Sequence, residues 1–207
     1  MAADQHASSP PVEQNIIEHP TTTGLDNRKM AMWAFLGSDT MFFGSLIAAY
    51  LVSHGRAANP PYPAQLFDIP FTSVSAFVLL MSSVAMVLGL AGIQNGDLRR
   101  FRIWIVTTCL LGLVFLGGQV YEFTEFYHEG LSLSTNLFGS AFYTLTGFHG
   151  AHVTLGVVWL FSLVIASFRQ PLVTKEKALN VEIAGLYWHF VDIVWIIIFA
   201  VVYLIEV

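Results

Sequence analysis

Five apolar segments dominate this chain, at residues 30–53, 71–93, 101–123, 138–168 and 183–205. Each has at least the roughly 20 residues that an α-helix needs to cross about 30 Å of hydrocarbon. An odd number of crossings puts the two termini on opposite faces. The basic residues then set the direction. Arg28 and Lys29 precede the first segment, Arg99, Arg100 and Arg102 lie at the second connection, and Arg169, Lys175 and Lys177 lie at the fourth. Only Arg56 falls on the other side, so eight of the nine lysines and arginines share one face. Basic connections stay in the cytoplasm, which places the N-terminus inside and the C-terminus outside.

Composition agrees with an all-α membrane protein, a bundle of five transmembrane helices. Hydrophobic residues make up 55% of the 207 positions and charged residues only 11%, well under the roughly 25% of soluble domains. The net charge of −5 and the scattering of basic residues along membrane faces argue against a nucleic-acid partner. The single cysteine, Cys109, lies inside the third segment, so no intrachain disulfide forms. Residues 1–29 are polar, rich in Pro, Thr and Glu, and have no apolar run before Met30. They read as a cytoplasmic tail and not as a signal peptide, followed by one membrane domain over 30–207.

The connections are short. Residues 54–70 contain Pro60, Pro61, Pro63 and Pro70 and form an extended outer loop, whereas Gln94–Asn95–Gly96–Asp97 makes a tight turn between antiparallel neighbours. No internal repeat is visible and no proline interrupts a segment. Both observations disfavour a transporter, whose fold usually carries two related halves and broken helices. Small residues within the segments (Gly37, Gly44 and Ala48; Gly117 and Gly118; Gly147 and Ala151) read as places where helices approach closely.

Seven acidic or histidine side chains lie within the segments or, for Glu182, at the edge of one: Asp39, Glu122, His149, His152, Glu182, His189 and Asp192. Each is costly in hydrocarbon and needs a partner or a purpose. Depth along the helices sorts them into two layers. Asp39, at about 13 Å from the inner face, is set with His189, Asp192 and Glu182; Glu122, His149 and His152 form an outer layer. Three uses compete for them. His149 and His152 stand i, i+3 and with the carboxylates suggest a metal or haem site, although the Glu-x-x-His repeats of carboxylate–histidine bundles are missing. Interhelical hydrogen bonds that fix the bundle are the plainer use, each contributing about 0.6–2 kcal/mol. Asp39 is the sharper case, because a carboxyl this deep could relay protons, anchor a lipid headgroup through water, or bond to another helix. Trp33, Tyr50, Tyr187, Trp188, Trp195 and Tyr203 read as interfacial anchors or packing.

Several stretches are similar to one family. Tyr187-Trp188-His189-Phe190-Val191-Asp192-Ile193-Val194-Trp195 closely resembles the signature of subunit III of haem–copper terminal oxidases. So do Gly147-Phe148-His149-Gly150-Ala151-His152-Val153, Gln119-Val120-Tyr121-Glu122-Phe123 and, in the first segment, Ser38-Asp39-Thr40-Met41-Phe42-Phe43. The matches run in order through four of the five segments, and the chain resembles the five-helix bacterial form of that subunit. The resemblance implies an accessory subunit without a redox centre of its own. Haems and copper would sit in partner subunits I and II, which reduce oxygen to water with electrons from cytochrome c. Subunit III would stabilise subunit I, bind phospholipid in a cleft and support proton uptake in a bacterial plasma membrane. It implies that Asp39 stands where the family commonly has a buried, carbodiimide-reactive Glu, one methylene longer. Alternatives are subunit III of a quinol oxidase, a nitric-oxide-reductase-associated relative and, in a different class, a stand-alone membrane protein binding metal or haem through His149, His152 and His189.

Overall fold

The computed structural model describes residues 26–54, 68–169, 174 and 177–205. Arg56, Lys175 and residues 55–67 of the expected outer loop lie outside them, whereas Pro70 lies in the first turn of a helix. Five helices form: α1 Asn27–His54, α2 Ile69–Gln94, α3 Leu98–His128, α4 Leu137–Phe168 and α5 Ala178–Phe199, the last running into a π-helical turn at Ala200–Leu204. All five are long and apolar enough to cross a membrane, and no strand occurs among the described residues.

Helix starts are specified locally. Asp68 accepts from the Phe71 amide, Asp97 from those of Arg99 and Arg100, and Asn136 from that of Gly139. Each satisfies donors that the first turn leaves without an intrahelical partner. Between α2 and α3, Gly96 takes φ +78°, a left-handed conformation open to glycine at little cost. The turn folds the two helices into the most extensive pairing of the bundle.

α4 and α5 form the centre. α3 and α1 pack on α4, α2 and α1 pack on α5, and α1 is the least enclosed, with 17% of its apolar window buried against 50% for α5. The sequence-predicted small-residue contacts are largely elsewhere. A Cβ on Gly37, Gly44, Gly117 or Gly147 would meet nothing within 4 Å, and of that set only Gly118 approaches a neighbour, Ser75 at 3.0 Å. The close approaches are at Gly89 and Gly92 against α3, Gly150 against Gln119, and Gly112 and Gly156 against Trp188. Trp188 of α5 lies between these last two glycines and donates its indole N–H to Ser82 of α2 at 2.9 Å, so one side chain joins four helices. Tyr50, Tyr187, Trp188, Trp195 and Tyr203 are all buried as packing residues, while Trp33 is 56% exposed.

The seven described lysines and arginines gather at one end of the bundle. There Lys29 of α1 pairs with Glu182 of α5, and Arg28 donates to Asn180 at 3.2 Å. Arg102 of α3 donates to Ser167 and covers the Phe168 ring at the end of α4.

Candidate functional site

Hydrogen-bonding groups inside the bundle fall into three groups along its length. At the basic end is the Lys29–Glu182 pair. Glu182 thus ties α5 to α1 and makes no contact with Asp39, His189 or Asp192 among the described residues.

Midway, Asp39 Oδ2 of α1 lies 3.3 Å from His152 Nε2 of α4, an ion-pair distance without the alignment of a hydrogen bond. This overturns the depth sorting, which set Asp39 with α5 and His152 with the outer group. His152 follows His149 by three residues, about 4.5 Å deeper from the outer face, which is enough to bring it level with Asp39. The chemistry of the pair follows from its other partner. His152 Nδ1 is 2.7 Å from the Phe148 carbonyl, which can only accept, so Nδ1 carries a hydrogen. One further proton then decides the state of the pair. On Nε2 it gives imidazolium and carboxylate; on Oδ2 it gives neutral imidazole and carboxylic acid. Phe42 and Phe43 pack against the His152 ring, and the Tyr187 hydroxyl donates to the His152 carbonyl at 3.0 Å.

The neighbouring histidines face elsewhere. His149 is fully buried, its Nε2 donates to the Val191 carbonyl at 3.2 Å, and its ring lies against Trp195, Phe115 and Phe43. Its Nδ1 has no hydrogen-bond partner among the described residues, nor has Trp195 Nε1; the buried Asp192 carboxyl lies near the Ser83 hydroxyl. His189 meets Ser83 of α2 at 2.7 Å. His149 and His152 therefore diverge despite their i, i+3 spacing. Among the described residues no three His, Cys, Asp or Glu side chains converge as a metal-binding group.

At the far end Glu122 of α3 accepts from Thr72 of α2 at 2.8 Å and from Tyr203 at 3.0 Å. It does not meet His149, contrary to the depth sorting. Gln119 occupies that interval instead, donating to the Thr146 carbonyl at 2.7 Å. The π-turn explains Tyr203: an extra residue per turn brings consecutive side chains, Val202 and Tyr203, inside together. Tyr203 then reaches Glu122, and the Val202 carbonyl receives the Tyr50 hydroxyl at 3.5 Å. Thr72 and Ser83 carry no signal in the sequence, because Ser and Thr hydroxyls in membrane helices usually bond back to their own helix; Tyr203 read only as an anchor or packing residue. The Lys29–Glu182 pair was not read from the sequence, which set Glu182 with Asp39, His189 and Asp192, although the two opposite charges stand at the inner ends of two segments.

These features define a class: a multi-pass membrane bundle whose buried polar side chains link helix to helix. Within that class the chain belongs to the cytochrome c oxidase subunit III family, whose model matches residues 12–207. It is 40% identical to cytochrome c oxidase subunit 3 of Bacillus sp. (strain PS3), over 86% of either chain. It is 37% identical to quinol oxidase subunit 3 of Bacillus spizizenii, over 91% of either chain. With cytochrome c oxidase subunit 3 of Thermostichus vulcanus the identity is 36%, over 90% of this chain and 89% of the relative.

Proposed function

We propose that this chain is the accessory, non-catalytic subunit III of a proton-pumping haem–copper terminal oxidase in a bacterial plasma membrane, with its N-terminus in the cytoplasm. It packs against subunits I and II, which hold the haems and copper and reduce oxygen to water. The whole-chain family match carries this reading. The non-catalytic role is supported by the histidines, whose ring contacts run to other helices or to their own: His149 to Val191, His152 to Asp39 and Phe148, His189 to Ser83. Relatives named for cytochrome c and for quinol are similar to this chain at nearly equal identity, so the donor is chosen on other subunits. We favour cytochrome c, with quinol as the alternative.

A groove between α1, α4 and α5 supports phospholipid binding. It holds about 540 Å³ beside Arg28, Met32, Phe35, Trp159 and Asn180 at the basic end. Through Met32, Phe35 and Trp159 it adjoins a further 430 Å³ reaching Leu155 and Tyr187. Apolar walls suit an acyl chain, and Arg28 at the mouth suits a phosphate.

Asp39, 3.3 Å from His152 within the span, is the group suited to support proton uptake. Asp39→Asn is expected to leave assembly intact, abolish carbodiimide labelling of this chain and slow proton uptake under turnover. Unchanged labelling would remove Asp39 from that role.

The test of the reading is an optical spectrum and metal analysis on the chain purified with its native partners and alone. Haem and copper are expected in the complex and in none of the isolated chain. Stoichiometric haem or metal retained by the isolated chain would make the histidines ligands and overturn the accessory role.

A further inference from the structure

The groove between α1, α4 and α5 exists because α1 changes neighbours along its length. At its inner end α1 is tied to α5. Lys29 pairs with Glu182, Arg28 Nη1 donates to Asn180 Oδ1 at 3.2 Å, and the Phe35 ring stacks on Tyr187 with centroids 6.4 Å apart. One turn further the ties run to α4 instead. Asp39 Oδ2 lies 3.3 Å from His152 Nε2, and the Phe42 ring meets Phe148 edge-on at 5.2 Å. Below this second anchorage the inner halves of α1 and α4 leave a space between them. Met32 and Phe35 line it from α1, Trp159 and Leu163 from α4, and Ile183 from α5.

The width of that space depends on which helix the inner end of α1 follows. α1 is the least enclosed helix of the five, so its own burial holds it weakly. In hydrocarbon, apolar side chains have no driving force toward one neighbouring helix over another; an ion pair does. Lys29 and Glu182 are partly buried, with side chains 27% and 32% exposed, and attract more strongly there than in open water. Neither residue lines the groove. We propose that the Lys29–Glu182 pair positions the wall of the phospholipid groove. By holding the inner end of α1 on α5 it keeps α1 off α4, and so keeps room for an acyl chain whose phosphate meets Arg28. The inference rests on the reading of this groove as a phospholipid site, and it gives the pair a role exerted through α1 without contact with the lipid.

The experiment reconstitutes the intact complex in nanodiscs of phosphatidylethanolamine and phosphatidylglycerol. Native mass spectrometry of the ejected chain then counts the phospholipid it carries. Glu182→Gln and Lys29→Gln are each expected to lower that count about fivefold, the upper range for one partly exposed ion pair. The exchanged pair, Lys29→Glu with Glu182→Lys, should restore it. A fall that the exchange does not restore would belong to the single side chains and overturn the inference. Thr72→Val removes an interhelical bond at the far end and should leave the count unchanged. An equal fall there would mean a general loosening of the bundle, and would also overturn it. Arg28→Gln separates the two readings. If the unsubstituted chain carries no phospholipid, or carries it equally after Arg28→Gln, the lipid reading fails and this inference with it. If the lipid depends on Arg28 but persists at wild-type level in Glu182→Gln and Lys29→Gln, this inference alone falls.

Discussion

Trp188→Ala is expected to lower the stability of the bundle by about 3–5 kcal/mol, the range for deleting a large buried aromatic side chain. The figure belongs at the upper end because the site cannot refill. A Cβ on Gly112 would lie 2.8 Å from Trp188 Cη2, and one on Gly156 would lie 2.8 Å from Trp188 Cε3, so both walls facing the indole are glycine backbone. Removing the ring leaves space bounded by those glycines, with Val157 of α4 the side chain that stands beside Gly112. Gly156→Leu should act in the opposite sense with a similar result, driving a side chain into an indole that Gly112 holds from the other side. Unfolding of the purified chain by SDS in mixed micelles measures both. A loss below about 1 kcal/mol for Trp188→Ala would mean that the four helices do not meet around this ring.

The second large effect concerns Glu122. Glu122→Ala removes a buried carboxyl that accepts from two hydroxyls, Thr72 and Tyr203, and is expected to cost about 1–3 kcal/mol, the loss of buried hydrogen bonds to that group. Glu122→Gln keeps an amide oxygen in the same place and should cost less than about 1 kcal/mol, a neutral acceptor replacing a carboxyl. Oxygen turnover of the assembled complex should follow the amount of complex formed and not fall further. The same micelle titration, with turnover normalised to haem, separates the two roles. Normal stability with lost turnover in Glu122→Ala would make the far end of the bundle functional.

Helix number and order follow from the length of the apolar segments, since bilayer thickness fixes how many residues a crossing needs. The hairpin of α2 and α3 was legible too, because Asp97 caps a helix and Gly96 allows the left-handed turn. The motifs around Asp39, Glu122, His149 and His189 identified the family without any contact being known. The contacts themselves were misread. Depth arithmetic set Asp39 with α5 and Glu122 with His149; the structure gives Asp39 to His152, and Glu122 to Thr72 and Tyr203.

The reason lies in what a helical sequence encodes. Rise per residue gives depth to within about a turn, but the partner of a side chain depends also on which way its helix is rotated and which helices are adjacent. In an apolar solvent those choices are made by packing and not by an amphipathic pattern. Here packing turns on glycines that admit an indole, at Gly112 and Gly156, while Gly37, Gly44 and Gly147, indistinguishable from them in sequence, face outward. The π-turn that delivers Tyr203 is of the same kind. The sequence by itself determined the crossings, the one-sided distribution of charge and the family; only the tertiary structure decided which polar groups meet, because rotation and adjacency are properties of the packed bundle.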